Sequence, residues 1–69
     1  MRYRDIARIL LDHGFALKRQ EGSHRQFEGF VDGRRHLVTL AFHGAGDDIA
    51  PKILASIIRQ SGLPRRAFR

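Results

Sequence analysis

Asp32-Gly33 is the feature that most restricts how this chain can fold. An Asp-Gly pair between alternating apolar and polar residues favours a two-residue β-turn, which makes its flanks the arms of an antiparallel hairpin. Closing the hairpin there sets Val31 opposite Arg34 and, further in, Phe27 opposite Val38. Upstream, Phe15, Leu17 and Arg19 alternate with Ala16, Lys18 and Gln20, a second run of period two, and Glu21-Gly22-Ser23 forms the intervening turn. A three-residue loop pairs Gln20 with His24 and Leu17 with Phe27, keeping Leu17, Phe27 and Val38 on one face with Phe15, Leu40 and Phe42 alongside. A two-residue loop sets Leu17 opposite Gln26 and splits this set, because a one-residue slip turns every side chain to the other face. The three-residue loop is therefore the expected one, with Gly22 supplying positive φ. The opposite face then collects Lys18, Gln20, His24, Gln26, Glu28, Arg35, Leu37 and Thr39.

Helical periodicity brackets the strands. From Tyr3 to His13, Tyr3, Ile6, Ile9 and Leu10 make one stripe with Ala7 and Leu11 on its shoulder, and Gly14 follows as the terminating residue. After Phe42 comes a glycine-rich connection without periodicity, His43 to Ala50. Pro51 suits the first turn of a second helix, and Asp47 and Asp48 precede it, where negative charge complements a helix N-terminus. Ile53, Leu54, Ile57 and Ile58 form that helix's apolar stripe, Gly62 stands at its end, and Pro64 stops it. In the tail, Phe68 can dock on a short turn or fray. The order is α-β-β-β-α, an α+β domain over residues 1–69 with both helices on the apolar face of a three-stranded antiparallel sheet. No further helix is left to cover the other face, so His24 is expected to be accessible.

Composition narrows the partners. The chain carries a net charge of +6 in 69 residues, and 11 of its 13 basic residues are arginine, whose guanidinium fork matches phosphate bidentately. Nucleic acid is the first polyanion to consider. The absence of cysteine excludes disulfides, thiolate zinc sites and thiol nucleophiles. Apolar runs are too short for a membrane span, and a charged helix rather than an apolar leader follows Met1, so the expected compartment is the cytoplasm.

Four histidines could carry chemistry. His13 falls at a helix end, where capping explains it. His36 falls opposite Gly29 on the core side and reads as structural. His43, at the strand-to-loop boundary, suits a backbone hydrogen bond or a phosphate contact. His24 opens a strand on the exposed face, with Lys18, Arg19, Arg25 and Arg35 expected within reach and Ser23 beside it. Cleavage of RNA by its own 2′-hydroxyl needs a base, an acid and positive charge on the phosphate, and an imidazole near pH 6.5 serves either proton transfer. Ser23 and Ser61 have no base at triad spacing. His36, His43, Asp47 and Asp48 do not make a metal-ligand signature, and Gly44-Ala45-Gly46 lacks the Lys-Ser/Thr ending of a phosphate loop. No metal or cofactor is expected.

Taken together, a helix closing on Gly14-Phe15, Leu17 to Gln20, Gly22-Ser23-His24 with Phe27 three residues later, Asp32-Gly33-Arg34, a strand ending near His43-Gly44, and Ile53 to Leu63 resemble the HicA family of small toxins from bacterial type II toxin–antitoxin systems. The resemblance runs almost end to end. It implies a double-stranded-RNA-binding-domain-like fold and a ribosome-independent endoribonuclease that cuts mRNA without a metal, with the family's catalytic histidine at His24. It also implies a HicB antitoxin partner that covers that histidine. Arg25 stands where relatives often carry a second histidine. On this reading Lys18, Arg19, Ser23, Arg25 and Arg35 hold RNA. Two alternatives remain open: a non-catalytic RNA-binding module of the same fold, and a protein-interaction domain for an acidic partner.

Overall fold

The computed structural model describes residues 1–69 in the order α1 (Tyr3–Asp12), β1 (Ala16–Glu21), β2 (His24–Val31), β3 (Arg34–Ala41), α2 (Pro51–Ser61) and a closing 3₁₀ turn, Arg65–Phe68. The strands form one antiparallel sheet in the order β1-β2-β3. Tyr3, Ile6 and Leu10 of α1 pack with Ile57 and Ile58 of α2, with Phe27, Val38 and Leu40 of the sheet, and with Phe15 and Phe68. The architecture is the expected α-β-β-β-α. No helix is long and apolar enough to cross a membrane.

Both helices end as their glycines dictate. Gly14 at φ +86° lets its own N–H bond the Leu11 carbonyl and the Phe15 N–H bond the Leu10 carbonyl, at 3.0 and 2.9 Å, the paired bonds of a Schellman motif. Phe15 is thereby turned back into the core, where it fills the space beneath Gly29; a Cβ on Gly29 would lie 2.5 Å from its ring. Past Gly62, the fully buried Ser61 hydroxyl takes over part of the capping: it donates to the Ile58 carbonyl at 2.7 Å and accepts the Leu63 N–H at 3.1 Å. Phe68 is buried rather than frayed.

The second hairpin closes on Asp32-Gly33 as expected, with φ of +53° and +77°, and keeps Val31 opposite Arg34, Phe27 opposite Val38 and Gly29 opposite His36. The first hairpin departs from expectation. Its loop is two residues, Gly22-Ser23, so that Glu21 and not Gln20 faces His24. Positive φ at Gly22 alone, +56°, fits a type II′ turn, which matches the twist of the strands. Leu17 still faces Phe27, because a bulge at Lys18 absorbs the extra residue between the Leu17–Phe27 and Arg19–Gln26 pairs. A bulge therefore reconciles the tight turn with the apolar pattern. It also exchanges the faces of the residues beyond it: Arg19 and Glu21 join His24, and Gln20 moves to the helix side. Leu17 lies on the core face by register yet is 47 % exposed, since β1 is an edge strand that neither helix covers.

The Gly-rich connection serves α1 rather than α2. The Tyr3 and Arg4 N–H groups donate to the Asp47 and Ala45 carbonyls at 2.8 and 3.0 Å, satisfying donors a helix start leaves free. Asp47 and Asp48 lie outside the first turn of α2, which begins at Ala50-Pro51 with no side-chain cap.

Candidate functional site

His24 is the first residue of β2 and is exposed. Strand alternation sends its side chain to the face away from the helices, while those of Arg25 and Phe27 leave on the helix side. Opposite it on β3 stands Ala41, small enough to leave the imidazole open. The next pair, Ser23 with Phe42, is bonded from the Phe42 N–H to the Ser23 carbonyl at 2.6 Å, which fastens the turn carrying His24 to the end of β3. Around the imidazole, Arg19, Glu21, Gln26 and Thr39 complete a shallow depression of about 130 Å³ with no apolar residue in its lining. Arg19 Nη2 reaches Glu21 Oε1 at 2.9 Å, both side chains remaining about 70 % exposed.

The basic residues expected beside His24 are distributed differently. Arg19 is there, by virtue of the bulge. Arg25 is not: its guanidinium lies on the helix side, 3.7 Å from the Phe42 ring centroid and 5.8 Å from that of Tyr3, with Nη1 donating to the Tyr3 hydroxyl at 3.3 Å. It ties α1 to the end of β3 through cation–π contact, beside an edge-to-face Tyr3–Phe42 pair. Lys18 and Arg35 share His24's face but are engaged by Glu28. Lys18 Nζ donates to Glu28 Oε1 at 3.0 Å, and Arg35 Nε donates to Oε2. Arg35 pairs with Phe30, six residues along β2 from His24, or about 20 Å at strand rise, too far to share one phosphate with it.

Hydrogen bonds from Arg35 first, then Lys18, hold the Glu28 carboxyl below its ordinary 4.5. A depressed carboxylate contributes stability that is complete above its unfolded value and is lost as pH falls through the folded one, so this triad is intact at neutral pH and weakens only below about 4.5. Glu28→Gln should free both cations. RNA binding is then expected to tighten, and its log–log salt dependence to steepen by up to about 1.4, at roughly 0.7 per phosphate contact on a single strand. Filter binding across a salt series measures this, and an unchanged slope would show that neither cation meets phosphate.

The remaining histidines take the expected structural places where bonds define them. His13 Nδ1 donates to the Ile9 carbonyl at 2.8 Å, and His36 Nδ1 donates to the Gln60 carbonyl at 3.1 Å. His43 is exposed and lines a separate cleft with Asp47, Asp48, Ile49 and Ile53. No cluster of three or more His, Cys, Asp or Glu is placed to hold a metal ion. Gln26 and Thr39 lie on His24's face as the alternation predicts, whereas Glu21 joins the depression unexpectedly, because the signal that places it there is the two-residue turn.

A three-stranded antiparallel sheet with both helices on one face defines a small domain of the double-stranded-RNA-binding-like class, here with an open polar face around a histidine. The family model described as HicA toxin of bacterial toxin-antitoxin matches residues 3–63, and the chain belongs to that family, as the toxin of a toxin–antitoxin system. An antitoxin partner follows from that membership. No curated protein matches the chain.

Proposed function

We propose that this toxin is a ribosome-independent endoribonuclease that cleaves mRNA, with His24 acting as a general acid or base on the scissile phosphodiester. The observation that supports the reading is the placement of His24: an exposed imidazole at a fastened strand start, in a wholly polar depression beside an arginine. The nucleophile is the substrate's own 2′-hydroxyl. Its attack on phosphorus forms a 2′,3′-cyclic phosphate and expels the 5′-oxygen, and the protein must move protons and balance charge. Arg19 is suited to the second task, since its guanidinium keeps donors beyond the one it gives Glu21. A HicB-like antitoxin would silence the enzyme by covering the open face that carries His24.

The test is incubation of the purified protein with a labelled, partly single-stranded RNA in the presence of EDTA. Fragments ending in 2′,3′-cyclic phosphate are expected, and their disappearance when the cognate antitoxin is added in stoichiometric amount. Salt-sensitive binding without cleavage would replace this reading with the non-catalytic RNA-binding module.

A further inference from the structure

Cleavage through the 2′-hydroxyl requires two proton transfers, one from the attacking oxygen and one to the leaving oxygen. Among the residues lining the depression, the Arg19 guanidinium offers donors and no acceptor, and the Gln26 amide and Thr39 hydroxyl are not acid–base groups, which leaves Glu21 and His24. The two are direct cross-strand partners at the mouth of the Gly22-Ser23 turn. Such partners hold their Cβ atoms about 4.5–5.5 Å apart, and both side chains rise from the same face. We propose that Glu21 is the second proton-transfer group of this site, serving as the base for the 2′-hydroxyl while the His24 imidazolium is the acid for the 5′-oxygen. The inference rests on the endoribonuclease reading and adds to it a residue, a direction of proton flow and a role for each partner.

Protons and bonds balance without a further reactant. The 2′-O–P bond forms as its proton passes to the Glu21 carboxylate; the P–5′-O bond breaks as His24 supplies a proton to the departing oxygen. The products are a cyclic phosphate and a 5′-hydroxyl, and exchange with water restores both side chains. A carboxylate, whose oxygens are acceptors, is the natural base of such a pair, while a protonated imidazole is a donor and can supply the other proton. Arg19, bonded to Glu21 at 2.9 Å, orients the carboxylate and keeps positive charge beside the phosphate. The groups facing the pair from β3, Thr39 and Ala41, carry no charge, and β2 contributes the neutral Gln26. The ionisable groups lining the depression are therefore Glu21, His24 and Arg19. The two-residue Gly22-Ser23 turn is the structural cause of the arrangement, since a three-residue loop would set Gln20 opposite His24, and the bulge at Lys18 then returns Leu17 to Phe27.

The experiment compares wild type, Glu21→Gln and Glu21→Asp in single-turnover RNA cleavage between pH 4 and 9, with RNA affinity measured alongside. Glu21 is 71 % exposed, so the variants should keep the fold, which far-UV circular dichroism checks. Glu21→Gln is expected to slow cleavage about 10²–10³-fold, within the range for a positioned acid–base group, and to abolish the acidic limb of a bell-shaped profile. RNA affinity should hold or rise, because Arg19 is released. Glu21→Asp should recover part of the rate together with the acidic limb. Wild type cleaving while Glu21→Gln cleaves within about threefold of it, on the same profile, would overturn the role of Glu21 and leave the endoribonuclease reading standing. A wild type that binds RNA and never cleaves it would overturn both.

Discussion

His24→Ala is expected to slow RNA cleavage by about 10²–10⁴-fold, the usual worth of a positioned general acid or base. The fold should not notice the change. His24 contributes nothing to the apolar core, its side chain is exposed, and its backbone pairing with Ala41 is independent of the imidazole. Surface substitutions of this kind usually lie within about ±0.5 kcal/mol, a shift of a few degrees in Tm for a domain of this size. A cleavage assay beside a thermal melt separates the outcomes. Lost activity with an unchanged melt assigns the chemistry to His24. Full activity in the variant would place the chemistry elsewhere, and a collapsed melt would make His24 a structural residue.

The position of His24 was legible because a single parity argument governs it. Phe27 must face the core, and a residue three positions away on a strand must therefore face out. Its neighbours were less legible. Arg25 is adjacent in sequence, and adjacency suggested a shared task; alternation instead sends it through the sheet to Tyr3 and Phe42. Arg35 lies on the correct face but at the other end of the hairpin, a separation that only a count along the strand reveals. Arg19 and Glu21 were assigned to the wrong face and left out of account, respectively, for one reason. An apolar pattern specifies which residues are buried, but it is equally satisfied by a longer loop or by a short loop with a bulge. Here Gly22, able to take the first central position of a type II′ turn, decides for the short loop, and the bulge follows.

The core was legible for the opposite reason, that several independent periodicities converge on it. Tyr3, Ile6 and Leu10 of α1, Ile57 and Ile58 of α2 and the inward residues of β2 and β3 could be buried together in only one layered arrangement, and they are, whereas Ile53, expected in the α2 stripe, lies at the open start of that helix and stays 55 % exposed. Contacts between distant segments were not. Nothing local indicates that Phe15 lies beneath Gly29 or that the loop after β3 caps α1 with its carbonyls, since backbone acceptors carry no sequence signature.

Gly62 combines both kinds of information and gives the largest expected effect on stability. Its place after the last turn of α2 calls for a left-handed residue, and its φ is +71°. Its tertiary role is separate: a Cβ there would lie 2.5 Å from His36 Cε1 and 2.6 Å from Nε2, in a ring held by its bond to the Gln60 carbonyl. Gly62→Ala therefore meets two penalties, about 1–2 kcal/mol for the left-handed conformation and about 1–3 kcal/mol for overpacking. Native domains hold only about 0.05–0.15 kcal/mol per residue, so this loss takes a large share of the total stability and should lower Tm by on the order of 10–30 °C. Pairing the substitution with His36→Ala tells the two penalties apart. Removing the ring should return the packing component and leave the conformational one, a coupling of about 1–3 kcal/mol in a double-mutant cycle read by urea denaturation. Strict additivity of the two substitutions would mean that His36 yields freely, and that the glycine is required by its backbone conformation alone.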